Sequence, residues 1–325
     1  MAKNTIIISH RRDFDGIASA AELLRALDGS IAKILFTNPS KKEMLSTLSK
    51  IKGLNNSTLY ITDISMPHDG YSDIISLLRG FHSASNEIKW LDHHPWSEDA
   101  IKEVREISDM LICGENDKYC AAELVYKNIC NSDKTCESIA NLAHLTDFNI
   151  RPEDKALDAD LVKISKCIAF LDNDEPHSDE LRMALTESVA KGSISGNTVE
   201  QIYSEYKKSE GENIQMLNKT MNSIKSGKYV IGIAFAENLQ SNMACAMIKE
   251  STGANIQVFV TTKDWSAHVR SDEGIDSSVL SKAFGGNGHP QASGFNIKMA
   301  EHEDIKDAIL AYTDTVFKAA MKIFN

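Results

Sequence analysis

The sequence predicts an α/β protein of two domains: a parallel sheet with helices on both faces, then a smaller α/β domain with a mixed sheet, and an active-site cleft between them. Three observations predict it. Short apolar runs alternate with helical patterns in the first part of the chain, the middle turns wholly helical, and a second strand and helix alternation begins near Lys228. A chain of 325 residues is also more naturally two domains than one.

In chain order, NTIIIS (4–9) and LYIT (59–62) read as strands, with EIKWL (87–91) and DMLIC (109–113) weaker runs of the same kind. Helical patterns such as GIASAAELLRAL (16–27) and HDGYSDIISLLRG (68–80) lie between them, which is the rhythm of a parallel sheet. AAELVYKNI, KTCESIANLAHLTDF and DLVKISKCIAFL continue as helices, and 151–190 forms a helical extension. KGSISGN (191–197) is small and polar, and residues 198–227 read as one long charged helix, weakened at Gly211. These features set a catalytic domain at 1–190, a helical linker at 191–227 and a second domain at 228–325. That domain alternates KYVIGIAF, a helix near SNMACAMIKES, NIQVFVTT, WSAHVR, a helix near SSVLSKAF and the strand GFNIKM, and a final helix closes the chain.

Composition bounds the function. Hydrophobic residues at 42% and charged residues at 25% are globular values and exclude long disorder. No apolar run approaches the ~20 residues of a membrane span, and the first residues lack the features of a signal peptide, so a cytoplasmic protein is expected. The six cysteines are scattered with no C-x-x-C pair, which points to reduced, mostly buried thiols. A net charge of −11 repels long polyanions, so a phosphate-bearing substrate should be short or held by a metal.

The chemistry gathers at strand ends. NTIIIS is followed by His10, Asp13 and Asp15, LYIT by Asp63, and KWL by Asp92, His93 and His94. Ligands of open α/β sheets bind at that edge. Any one aspartate there has a plain reading as a helix cap, but four aspartates and three histidines on one edge would repel or be desolvated without cations. Oxygen and imidazole donors without thiolate suit Mn²⁺, with Fe²⁺, Co²⁺ or Mg²⁺ as alternatives. Seven donors exceed the needs of one ion with open positions, and a metal pair suits phosphoester or phosphoanhydride hydrolysis.

HRRDFDGIASA, ITDIS and LDHH resemble the first three motifs of the DHH phosphoesterase superfamily, and NLAHLTDFN supplies Asp147 where the family has its fourth. The resemblance implies one metal on His10, Asp13 and Asp63 and a second on Asp15, Asp63, His93 and Asp147, with Asp63 bridging. It also implies that Asp92 orients a ligand histidine and that His94 faces the substrate or the attacking water, which makes Asp63, Asp92, His93 and His94 the catalytic set. The spacing departs from the family's common one, because His10 precedes Asp13 by three residues and Asp15 by five.

FGGNGHPQASGF (284–295) resembles the glycine-rich loop of the DHH-associated domain, with Asn287 in place of a glycine. The upstream HVRSDEG resembles a family segment whose arginine and serine grip the substrate. Arg270, Ser271, Gly285, Gly286, Gly288 and His289 are therefore substrate-binding candidates; their plain readings are a helix-to-strand turn and a solvated arginine. Arg11 and Arg12 lie within the first motif, as surface residues or as neighbours of a phosphate. His68, His82, His177 and His302 read as surface residues, and His144 as core, surface or a neighbour of the metal ligands.

The layout resembles the nano-RNase and bisphosphate-nucleotidase group and archaeal RecJ-like exonucleases. The expected function is exonucleolytic hydrolysis of short oligonucleotides to mononucleotides with two Mn²⁺ ions, Mg²⁺ or Co²⁺ substituting. Alternatives are a RecJ-like exonuclease on longer single strands, a phosphoesterase of 3′,5′-bisphosphate nucleotides or cyclic dinucleotides, and an inactive nucleotide-binding partner subunit. The expected partners are short oligonucleotides or nucleotides, with no membrane and with a homodimer compatible.

Overall fold

The computed structural model describes residues 4–27, 29–67, 70–114, 118–173, 178–297 and 304–324. His68, His177, His302 and the end of the GFNIKM strand lie outside them. The chain folds as two compact units, residues 1–206 and 207–325. No helix among the described residues is long and apolar enough to cross a membrane.

The first unit runs β1 (Asn4–His10), α1 (Phe14–Ala26), β2 (Ile31–Thr37), α2 (Lys41–Ser49), β3 (Ser57–Thr62), α3 (Tyr71–Ser83), β4 (Glu87–Leu91), α4 (Glu98–Arg105) and β5 (Met110–Ile112). Helices α5 (Ala121–Ile129), α6 (Lys134–Asp147), α7 (Lys155–Asn173) and α8 (Ser178–Ala190) come next. The strands form one parallel sheet in the order β2-β1-β3-β4-β5. Strand β1 is a continuous apolar run because both faces are covered. Ile6 and Ile8 pack with residues of α2, α3 and α4, whereas Ile7 packs with residues of α1 and α5. Strand β2 escapes the sequence pattern because it is an edge strand, with Lys33 exposed.

Helix α9 (Asn197–Thr220) passes through Gly211 without interruption. Its Val199 and Ile202 join a core of the first unit, and its Leu217 joins a core of the second. The helix stops seven residues short of Gly227, because β6 (Asn222–Ser226) turns back on β7 (Tyr229–Ala236). Gly227 has φ 58° in that turn, a left-handed conformation that glycine adopts cheaply, and Ile224 packs on the core. Then come α10 (Ser241–Thr252), β8 (Ile256–Thr261), β9 (Ser266–Ser271), α11 (Ser278–Ala283), β10 (Asn287–His289), β11 (Ala292–Asn296) and α12 (Ile305–Phe324). The second sheet is mixed, in the order β10-β11-β9-β8-β7-β6, with β7 and β8 parallel.

Candidate metal centre

The β order makes β1, β3 and β4 neighbours, so the three motif-bearing strand ends stand side by side. Local sequence fixes each end. Asp13 caps α1 by accepting from the Gly16 amide at 3.0 Å. Gly16 is required there, since a Cβ would sit 2.3 Å from the His10 carbonyl oxygen. Ser9 donates to the Gly16 carbonyl at 2.6 Å and accepts from Thr62 at 2.8 Å, which ties the ends of β1 and β3 together. Asp63 comes directly after β3 in a left-handed backbone conformation, φ 55°, and its amide bonds to the Leu91 carbonyl at 3.1 Å. A non-glycine residue held this way is strained by about 1–3 kcal/mol, and such strain gathers at functional sites. The Asp92 amide bonds to the Ile112 carbonyl at 2.9 Å, which fixes the third end.

The structure brings the sequence-predicted residues together in overlapping groups, each able to hold an ion: His10, Asp13 and Asp63; Asp15, His93 and Asp147; and Asp63, His93 and His94. His10 Nδ1 lies 2.9 Å from Asp13 Oδ2 and 3.3 Å from Asp63 Oδ2. His93 Nε2 lies 3.5 Å from Asp63 Oδ1 and 3.9 Å from Asp15 Oδ2, and its Nδ1 lies 3.9 Å from Asp147 Oδ2. His10 Nδ1, Asp63 Oδ2 and both ring nitrogens of His93 are buried without a hydrogen-bond partner. Buried polar atoms are ordinarily satisfied. Donor atoms that crowd together without hydrogen-bond geometry are placed to share a cation, so the residues fit a divalent metal.

Electrostatics agree. Burial and the neighbouring Asp13 carboxylate push Asp63 well above the usual carboxylate range. Burial and Asp63 do the same to Asp15, against the pull of two amides, and burial also raises Asp147. Burial opposes charge on His10, yet Asp13 and Asp63 together hold its imidazolium up to about 10. Asp13, facing that imidazolium, is held down at about 2 despite its own burial. Carboxylates pressed together this way are short of positive charge, and cations supply it.

Asp92 is fully buried, and its two oxygens go to His94 Nδ1 at 2.8 Å and to Trp96 Nε1 at 2.7 Å. The histidine it orients is therefore His94. Hydrogen bonding to Asp92 raises the His94 pKa to about 9.

Several contributors escaped sequence reasoning. The amides of Ala121 and Ala122, at the start of α5, donate to the two oxygens of Asp15 at 2.7 and 2.8 Å. A helix N-terminus favours such a carboxylate. The signal that could have found it is Glu123, three residues after Cys120, which accepts from the Cys120 amide at 3.0 Å as a helix start often does. His144 Nδ1 lies 2.8 Å from the same Glu123 carboxylate, so it braces that helix start. His82 is half-buried in the last turn of α3.

In the second unit, Arg270 on β9 and His289 on β10 both stand opposite Ala292 of β11. Residues opposed in antiparallel pairs share a face, so arginine and histidine flank one small alanine. Arg270 donates to Asn242 Oδ1 at 3.2 Å and to Ser241 Oγ at 3.4 Å. Ser271 alternates to the other face, where its hydroxyl donates to the Ile275 carbonyl at 2.8 Å. Gly286 and Gly288 allow close packing: a Cβ would meet the Gly294 oxygen at 2.1 Å and the Ser293 Cα at 2.4 Å. Gly285, φ 76°, borders open space.

An α/β sheet that gathers aspartates and histidines at three adjacent strand ends can hold divalent metal and suits a hydrolase of the phosphoesterase class. Residues 188–318 match the DHHA1 domain. That domain follows the four aspartate and histidine motifs that resemble those of the DHH phosphoesterase superfamily.

No curated protein matches the chain. Among solved structures it is similar to the pGpG-specific phosphodiesterase PggH from Vibrio cholerae, at 17% identity and a TM-score of 0.48, over 98% of this chain and 99% of that one. It is also similar to an exopolyphosphatase-related protein from Bacteroides fragilis, at 15% identity and a TM-score of 0.42, over 99% and 94% of the two chains. RecJ from Thermus thermophilus in complex with Mn²⁺ is similar at 12% identity and a TM-score of 0.40, over 98% of this chain and 52% of that one.

Proposed function

We propose that the chain is a Mn²⁺-dependent phosphodiesterase that hydrolyses short oligonucleotides exonucleolytically to mononucleotides. The observation that carries the chemistry is the crowd of buried carboxylate and imidazole donors without hydrogen-bond partners at the ends of β1, β3 and β4. His10, Asp13 and Asp63 would hold one ion, and Asp15, Asp63, His93 and Asp147 a second. Bound there, the metals supply a water acidified to near-neutral pKa and charge neutralisation on the phosphoryl oxygens. The chain's own groups do the rest. Asp92 holds His94 through Nδ1, which leaves Nε2 to give a proton to the leaving oxygen. Arg270 and His289, flanking Ala292, bind phosphate oxygens with the exposed turn at Gly285; Ser271, Gly286 and Gly288 shape the loops that carry them.

Short substrates are favoured by charge. A net charge of −11 opposes the many phosphate contacts a long strand requires. The test is hydrolysis, with Mn²⁺ and with EDTA, of a dinucleotide, a short RNA, a long single-stranded DNA, a cyclic dinucleotide and adenosine 3′,5′-bisphosphate. Metal-dependent turnover concentrated on the dinucleotide and short RNA is the expected result. Preference for the long strand would overturn the short-substrate reading, and no turnover with Mn²⁺ of any of them would overturn the enzymatic one.

A further inference from the structure

Glu123 serves two partners with one oxygen. Its Oε2 accepts from the Cys120 amide at 3.0 Å, which closes the first turn of α5, and also lies 2.8 Å from Nδ1 of His144 on α6. A carboxylate oxygen accepts, so Nδ1 carries the hydrogen. The His144 ring also packs against Phe148, one turn further along, with ring centroids 4.5 Å apart, so its position is fixed from a second direction.

Each end of this contact leads to a candidate metal ligand. Directly after Cys120, the Ala121 and Ala122 amides hold the two oxygens of Asp15 at 2.7 and 2.8 Å. One turn beyond His144, Asp147 ends α6. Asp15 and Asp147 belong with His93 to one of the groups able to hold an ion. The group of His10, Asp13 and Asp63 draws on the ends of β1 and β3 and on neither of these helices. The link from Glu123 to His144 therefore joins the anchor of one ligand to the helix that carries another, and both ligands serve the same ion.

The plain alternative is a helix start with a surface histidine beside it. Such a cap needs Glu123 alone. The His144 side chain is 33% exposed and that of Glu123 17%, so solvent screens the pair and its contribution to folding stability is small. Its geometric effect is larger, because it closes a path that runs from Asp15 through the α5 amides, Glu123 and His144 to Asp147.

We propose that Glu123 and His144 are positioning residues that together fix the spacing of Asp15 and Asp147, and so set the affinity of the ion those two carboxylates share. This rests on the two-ion reading above. Carboxylates held at their working separation before an ion arrives need no further ordering when it binds, which is why groups behind metal ligands govern affinity.

The experiment is titration of the metal-stripped full chain with Mn²⁺, followed by calorimetry and electron paramagnetic resonance. Wild type is compared with Glu123→Gln, His144→Phe and His144→Asn. Wild type should bind two ions, whose closeness broadens the resonance relative to that of an isolated Mn²⁺. In Glu123→Gln and His144→Phe one ion should bind about 10–100-fold more weakly while the other keeps its wild-type affinity. At low Mn²⁺ these variants should then show the spectrum of an isolated ion. Asparagine places an N–H close to where Nδ1 stands, so His144→Asn should recover most of the lost affinity. Adding Glu123→Gln to Asp147→Asn should weaken binding no further, because both changes act on one ion. Wild-type affinities in His144→Phe would reduce Glu123 to a plain helix cap and overturn the proposal, as would equal weakening of both ions; either result leaves the two-ion reading standing. A wild-type chain that binds fewer than two ions overturns that reading, and the proposal with it.

Discussion

At the scale of single residues, burial decides what each acid can do. Asp92 is fully buried and committed to His94 and Trp96, so its loss should act through His94 rather than through the metals. Asp92→Asn should lower kcat by about 10–100-fold while the stoichiometry of bound Mn²⁺, measured by mass spectrometry of metals, stays that of wild type. Loss of an ion in that variant would place Asp92 among the ligands. Glu22 on α1 poses a different problem, because it is fully buried and neither carboxyl oxygen has a hydrogen-bond partner. Burial first, then the neighbouring Cys136, Asp15 and Glu123, raise its pKa well above 4.5. The folded state thus holds this proton more tightly than the unfolded chain. Stability is unpenalised below the unfolded value and falls as pH rises from there towards the folded pKa. Glu22→Gln removes the titration, so urea unfolding at pH 5 and pH 8 should show a smaller loss with rising pH than wild type. Equal losses in the two proteins would show that Glu22 is not the group responsible.

At the scale of elements, the site depends on how strand ends meet helix starts. Gly16 is buried in the first turn of α1, and the atoms a Cβ would meet include backbone atoms of His10, which cannot swing aside. Gly16→Ala should cost about 1–3 kcal/mol, read as a lower urea midpoint, and should weaken Mn²⁺ binding because His10 and Asp13 are displaced together. An unchanged midpoint would mean that β1 and α1 can move apart freely. The DHH run and the aspartates after β1 and β3 were legible in the sequence because each ends a recognisable apolar run. The α5 amides that hold Asp15 were not, because they come from 106 residues away. Strand β6 was misread as helix because its pattern is polar and its partner β7 decides its conformation.

At the scale of the whole molecule, the acids are a liability that metal turns into stability. Ions that bind the folded state alone add about 2.7 kcal/mol at a hundred times their Kd. Mn²⁺ should therefore raise the melting temperature of the metal-stripped protein by about 5 °C or more, and Asp63→Asn, which removes the carboxylate shared between two groups, should lose most of that rise. A rise of equal size in Asp63→Asn would show that the ions bind elsewhere.

By itself the sequence determined the fold class, the family resemblance and the identity of the acids and histidines at the strand ends, because those are written in contiguous apolar runs and short motifs. Only the tertiary structure decided which histidine Asp92 orients, which amides hold Asp15 and which carboxylate Arg12 donates to. The latter two join segments more than a hundred residues apart, and the first is a choice between two adjacent histidines. The two long-range pairings are not encoded in a local pattern of residues; both depend on how the helices pack against the sheet.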